Sequence, residues 1–176
     1  IVKAYTTRVG EGPLPTELHG AMGDELRESG GEYGASTGRP RRCGWYDAVA
    51  VRYAVRINGL DAIAVTKLDV LDGRDEVPLC TGYRHGDEVL TEFPSNAATL
   101  AECVPVYEVL PGWSRPTAGA RRYEDLPPQA QTYLKRIEEV TGVPIAIVST
   151  GSDRADTILV SGELVDRWQA ERALSS

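Results

Sequence analysis

Twice along this chain a segment with helical periodicity is followed by a short apolar run that stops on a polar turn. That alternation restricts the fold more than any other feature. In the first unit Ala48, Val49, Tyr53 and Ile57 share one face, Arg52 and Arg56 lie on another, and Asn58-Gly59 closes the helix. Residues 60–65, apolar but for Asp61, then read as a buried strand and lead into Thr66-Lys67-Leu68-Asp69. The second unit starts at Asp125 with Pro127 and Pro128 and carries Ala130, Tyr133, Leu134, Ile137 and Val140 as one stripe. It stops at Gly142 and passes through apolar residues 143–148 into Ser149-Thr150-Gly151. Such a repeat predicts an α/β fold with a mainly parallel sheet and flanking helices. Ligands of these sheets collect at the carboxyl ends of strands, where both polar turns fall.

Around these units the chain is less regular. Ile1 to Val9 reads as one strand already under way, without an initiator methionine, so the chain is expected to be cut from something longer. Residues 24–34 form a short charged stretch closed by Gly30, Gly31 and Gly34, and Gly38 and Pro40 interrupt any regular element in the arginine-rich loop that follows. Residues 77–84 and 88–93 flank His85-Gly86-Asp87 as a β-hairpin excursion. Residues 94–116 are loop-rich, with a further strand over 104–109.

Composition excludes several classes of function. No run of 18 apolar residues and no signal-peptide pattern occurs, so the expectation is a cytoplasmic protein with no membrane partner. A formal net charge of −7 argues against a general nucleic-acid partner, which needs a basic face to displace counterions. Cys43, Cys80 and Cys103 are odd in number, without CxxC spacing or nearby histidines, and read as reduced thiols and not as a disulfide framework or zinc site. His19 and His85 stand apart from any nucleophile. No G-x-x-x-x-G-K-[ST] phosphate loop is present. Against the acidic background Arg39, Arg41 and Arg42 cluster, as they do where a small anion is held.

Thr66-Lys67-Leu68-Asp69 after a strand is suited to guanine. The Asp carboxylate can accept from both N1–H and the exocyclic amino group, a pair adenine does not offer, while the Lys stem lies along the purine face. A site that pairs buried polar groups with its ligand rejects an analogue lacking them by roughly 10⁴ to 10⁵.

Five ordered blocks together resemble the carboxyl-terminal part of the adenylosuccinate synthetase family: Ala4-Tyr5-Thr6-Thr7-Arg8-Val9-Gly10; residues 36–45, Ser-Thr-Gly-Arg-Pro-Arg-Arg-Cys-Gly-Trp; Leu68-Asp69-Val70-Leu71-Asp72-Gly73; Pro111-Gly112-Trp113; and Thr141-Gly142-Val143-Pro144 with residues 149–154, Ser-Thr-Gly-Ser-Asp-Arg. The resemblance covers residues 1–160, leaves 161–176 as a tail with a short helix, and implies an incomplete portion of a larger P-loop-like synthetase domain. That family joins IMP and L-aspartate using GTP, with Mg²⁺, as a homodimer. It implies an aspartate loop of Ala35, Ser36, Thr37, Gly38, Arg39, Pro40 and Arg41 together with Val9. Arg39 would also reach the IMP ribose and Arg41 a GTP phosphate, while Lys67, Leu68, Asp69, Ser149, Thr150 and Gly151 would hold the guanine base. Pro40 departs from the arginine common there. The family's phosphate loop, catalytic aspartate, catalytic histidine and metal ligands lie in its amino-terminal part, so no catalytic or metal-binding residue is expected in this chain, nor activity from it alone. A missing amino-terminal polypeptide would complete it. The alternative is a guanine-nucleotide-binding regulatory module without catalysis.

Overall fold

The two helix–strand units set the frame of the computed structural model, which describes residues 1–161 and Leu164. In chain order it contains β1 (Val2–Lys3), β2 (Thr6–Arg8), α1 (Ala21–Ser29), β3 (Arg42–Gly44), β4 (Tyr46–Asp47), α2 (Ala48–Asn58), β5 (Ile63–Thr66), β6 (Glu76–His85), β7 (Glu88–Leu90), α3 (Ala97–Glu102), β8 (Val104–Pro111), α4 (Pro128–Thr141), β9 (Ile145–Ser149) and β10 (Thr157–Leu159). One sheet has the order β1-β5-β9-β10, parallel except for β10, which runs antiparallel to β9. Because β5 and β9 are parallel neighbours, with Val65 beside Val148, the turns that leave them emerge at the same sheet end.

The hairpin excursion is a second sheet. β6 pairs in parallel with β4 and antiparallel with β7 and β8, and Gly86-Asp87 forms the hairpin turn. α2 packs on β6 and on α4, so helices from both units share one layer. The principal core runs through both sheets and includes Leu68, Leu71, Trp113, Tyr133 and Ile137. A smaller one gathers Val49, Cys80, Tyr83, Leu100 and Cys103. All three thiols are free and buried.

Helix ends follow local chemistry. Asp47 caps α2 by accepting from Ala50 N at 3.1 Å, a contact worth about 1 kcal/mol, and Gly59 and Gly142 end α2 and α4 in the left-handed conformation. Four expectations change. The first strand breaks into β1 and β2 at Ala4-Tyr5, where the chain leaves its pairing with β5 and turns to pair with β3 in a separate two-stranded sheet. The charged stretch forms the helix α1, and the loop-rich region contains α3, capped by Asn96. The fourth helix starts at Pro128, not Asp125. Asp125 closes a preceding 3₁₀ turn by accepting from Arg122 N. The expected tail helix lies in 161–176, outside the described residues apart from Ser161 and Leu164. Among the described residues no helix is long and apolar enough to cross a membrane.

Candidate functional site

Lys67 is the only non-glycine residue at positive φ among the described residues, at φ 59° and ψ 38°. A left-handed lysine costs on the order of 1–3 kcal/mol and persists only where its surroundings enforce it. Here Ala4 N donates to Thr66 O at 2.8 Å, and the Lys67 ammonium donates to Gly30 O at 2.7 Å. The bend sends the chain from β5 straight into a 3₁₀ turn, Leu68–Leu71. The Leu68 side chain enters the core, so only its main chain is available to a ligand.

Asp69 follows. Its Oδ1 is buried and has no hydrogen-bond partner. Burial is the main cause of a raised pKa. Its own main-chain N–H and the Lys67 charge oppose that rise, and the Asp72 and Asp156 carboxylates add to it. A buried acceptor left open costs about 1–3 kcal/mol, and this one lies beside a strained turn.

Ser149, Thr150 and Gly151 leave the adjacent strand end. Their polar groups are largely satisfied internally: Ser149 Oγ donates to Gly151 O at 3.0 Å, and Thr150 N donates to Asp156 O at 2.9 Å. A Cβ on Gly151 would collide with the Asp156 carboxylate. This turn can therefore offer shape and main-chain groups more readily than free side chains.

The arginine loop forms a second neighbourhood. Gly34 N donates to Arg39 O and Gly38 N to Gly34 O, each at 2.8 Å, and Tyr33 bridges Pro40, which closes residues 34–39 as a tight excursion. Pro40 lies in that bridge, and Gly38 supplies positive φ at the tip. Val9, Thr37, Arg39, Pro40 and Arg41 line one cleft of about 520 Å³, while Ala35, Ser36 and Gly38 are exposed and line no part of it. Arg8 and Arg42 also border the cleft, but each is engaged: Arg8 with Glu11 O and Pro13 O, Arg42 with Glu17 and Gly12 O. Arg39 is exposed, and among the described residues its guanidinium has no partner. Arg41 donates to Glu32 Oε2 at 2.8 Å. The cleft thus presents one free guanidinium, Arg39, among three anchored ones, a combination that can hold a dicarboxylate or phosphate.

Glu32, which holds Arg41 at the cleft, is the feature that sequence reasoning missed. Its side chain is fully buried and accepts from Lys3 and Tyr5 as well as Arg41. Burial would raise its pKa, but the three donors outweigh burial and lower it. Nothing in the local pattern marks it, because its partners lie far off in sequence.

A family model for adenylosuccinate synthetase matches residues 1–158. Over 161 residues the chain is 58% identical to the adenylosuccinate synthetase of Pelotomaculum thermopropionicum, a match covering 92% of this chain and 38% of that one. The relative from Desulforamulus reducens is 58% identical over 160 residues, 91% of this chain and 37% of its own. The fold superposes on fully ligated adenylosuccinate synthetase from Plasmodium falciparum with a TM-score of 0.87 and 40% identity, covering 91% of this chain and 39% of that one. The chain therefore spans less than two-fifths of the length of these relatives, and over that span it belongs to the adenylosuccinate synthetase family.

Proposed function

We propose that this segment supplies the guanine-reading and aspartate-binding part of an enzyme that joins IMP and L-aspartate, using GTP, to form adenylosuccinate in purine biosynthesis. The observation that carries it is Asp69 Oδ1, buried without a partner at the end of β5. Guanine supplies the missing donors, with N1–H and the exocyclic amino group meeting the carboxylate. The Lys67 stem lies along the base, Leu68 contributes main chain, and Ser149, Thr150 and Gly151 close the other side. Arg41 meets a phosphate of GTP. Arg39, free in the cleft, takes a carboxylate of aspartate and reaches the IMP ribose, with Val9, Thr37, Pro40 and Arg41 shaping the cleft and Ala35, Ser36 and Gly38 completing the loop outside it.

Phosphoryl transfer needs a cradle for the triphosphate and a positioned base, and residues 1–176 contain no G-x-x-x-x-G-K-[ST] loop. The Mg²⁺ that accompanies GTP is expected, as the family resemblance implies, to take its ligands outside this segment. The catalytic groups then come from an amino-terminal portion, within a homodimer. Calorimetric titration of the 176-residue chain should show weak GDP binding and no IMP binding. Addition of the amino-terminal segment of a relative should restore GTP-dependent consumption of aspartate. Turnover by the chain alone would contradict the proposal, and GDP binding without restoration would favour a regulatory module.

A further inference from the structure

The guanine-reading turn and the arginine loop share one support. Immediately after α1 the chain runs Gly30-Gly31-Glu32. Gly30 O receives the Lys67 ammonium, and two residues later Glu32 Oε2 receives Arg41. Glu32 also takes Lys3 Nζ on Oε2 at 2.7 Å and the Tyr5 hydroxyl on Oε1 at 2.5 Å, so both oxygens are used. Gly30 admits no side chain, because a Cβ there would collide with the Tyr5 hydroxyl. The turn is thus clamped by Tyr5 on one side and carries one residue of each candidate site on the other.

A wholly buried carboxylate is a poor device for stability alone, since buried ion pairs are often replaced by apolar packing without loss. Its value lies in geometry. Arg41 keeps 31% of its side chain exposed and lines the cleft, while Glu32 grips it through Nη1. The Arg41 Nε is buried without a partner, so the guanidinium has no second protein anchor at that nitrogen. Without the Glu32 carboxylate the Arg41 guanidinium loses its anchor, while the Arg41 main chain stays held by Glu32 O and the Arg27 guanidinium.

We propose that Glu32 is a positioning residue: it fixes Arg41 at the cleft and, through the Gly30–Glu32 turn, keeps Arg41 in register with Lys67, so that the base site and the phosphate-facing loop engage one nucleotide together. The inference rests on the guanine and loop assignments proposed above.

The test is a double-mutant cycle in the complete synthetase carrying this segment, read as KM for GTP and kcat. Glu32→Gln should raise the KM for GTP about tenfold with a much smaller change in kcat, and the same substitution in an Arg41→Met background should change it less than about twofold. Lys3→Met, which removes the other cation from Glu32, should lower Tm yet leave that KM within about twofold. A purely structural Glu32 would instead give equal effects in both backgrounds, or effects matched by Lys3→Met, and either result overturns the inference. If Glu32→Gln does not fold, Glu32→Asp, which withdraws the carboxylate by one methylene, is expected to act in the same direction. An unchanged KM in that variant is equally contrary. Asp69→Asn separates the two levels. Loss of guanine preference there with a flat Glu32 result overturns the role of Glu32 alone, whereas retained guanine preference overturns the site assignment and the role of Glu32 with it.

Discussion

Asp69 and Glu32 are carboxylates shifted in opposite directions, and each shift has a consequence for pH. Burial first, then Asp72 and Asp156, raises the Asp69 pKa above its ordinary value. In the unliganded chain a raised folded value means that stability falls as pH rises from the unfolded toward the folded pKa of Asp69. Guanine would reverse this, because its two donors favour the ionised form. GDP binding should therefore weaken about tenfold per pH unit below that raised pKa, with proton release near it, as titration in buffers of different ionisation enthalpy would show. Binding indifferent to pH across this window would contradict a carboxylate contact. Glu32 runs the other way. Its lowered pKa gives stability that is present above the unfolded value and lost as pH falls through the folded one.

At the scale of elements, the site is made by two turns at the ends of parallel neighbours, β5 and β9. The second turn depends on glycine. Gly151→Ala would push the new methyl against Asp156, whose main-chain oxygen receives Thr150 N and whose carboxylate pairs with Arg121. The expected cost is about 1–3 kcal/mol, read from the urea midpoint, together with weaker GDP binding. An unchanged midpoint would mean that the turn has room the geometry denies it. These turns were legible because each follows a strong periodic signal. The α4 stripe of Ala130, Tyr133, Leu134 and Ile137 is buried as helical spacing predicts, and Gly142 ends the helix where expected. The break at Ala4-Tyr5 was not legible, since residues 1–3 before it and 6–9 after it still suit a strand. Nor was the ring of Lys3, Tyr5, Glu32 and Arg41. Contacts across 27 and 29 residues obey no local period, and a lone glutamate between Gly31 and Tyr33 carries no signal of burial.

Over the whole molecule, contacts distant in sequence hold the two neighbourhoods on one body. The Tyr133 hydroxyl on α4 donates to Ala4 O at 2.7 Å, at the bend between β1 and β2, and Ala4 N in turn donates to Thr66 O just before Lys67. The principal core runs from Ala4 and Tyr5 through Leu68 to Ile158. The turn proposed to read guanine therefore sits on a continuous support within a segment spanning less than two-fifths of its relatives' length. Base recognition is the part of the proposed activity that this segment should express by itself. The most direct test is calorimetric titration of the 176-residue chain and its Asp69→Asn variant with GDP and with xanthosine diphosphate. The amide offers one donor and one acceptor, which suit the 2-oxo group and N1–H of xanthine. The native chain should prefer GDP, and the variant should lose on the order of 10²-fold in GDP affinity and prefer xanthosine diphosphate. GDP preference retained in the variant would contradict the assignment of Asp69 as the reader of guanine.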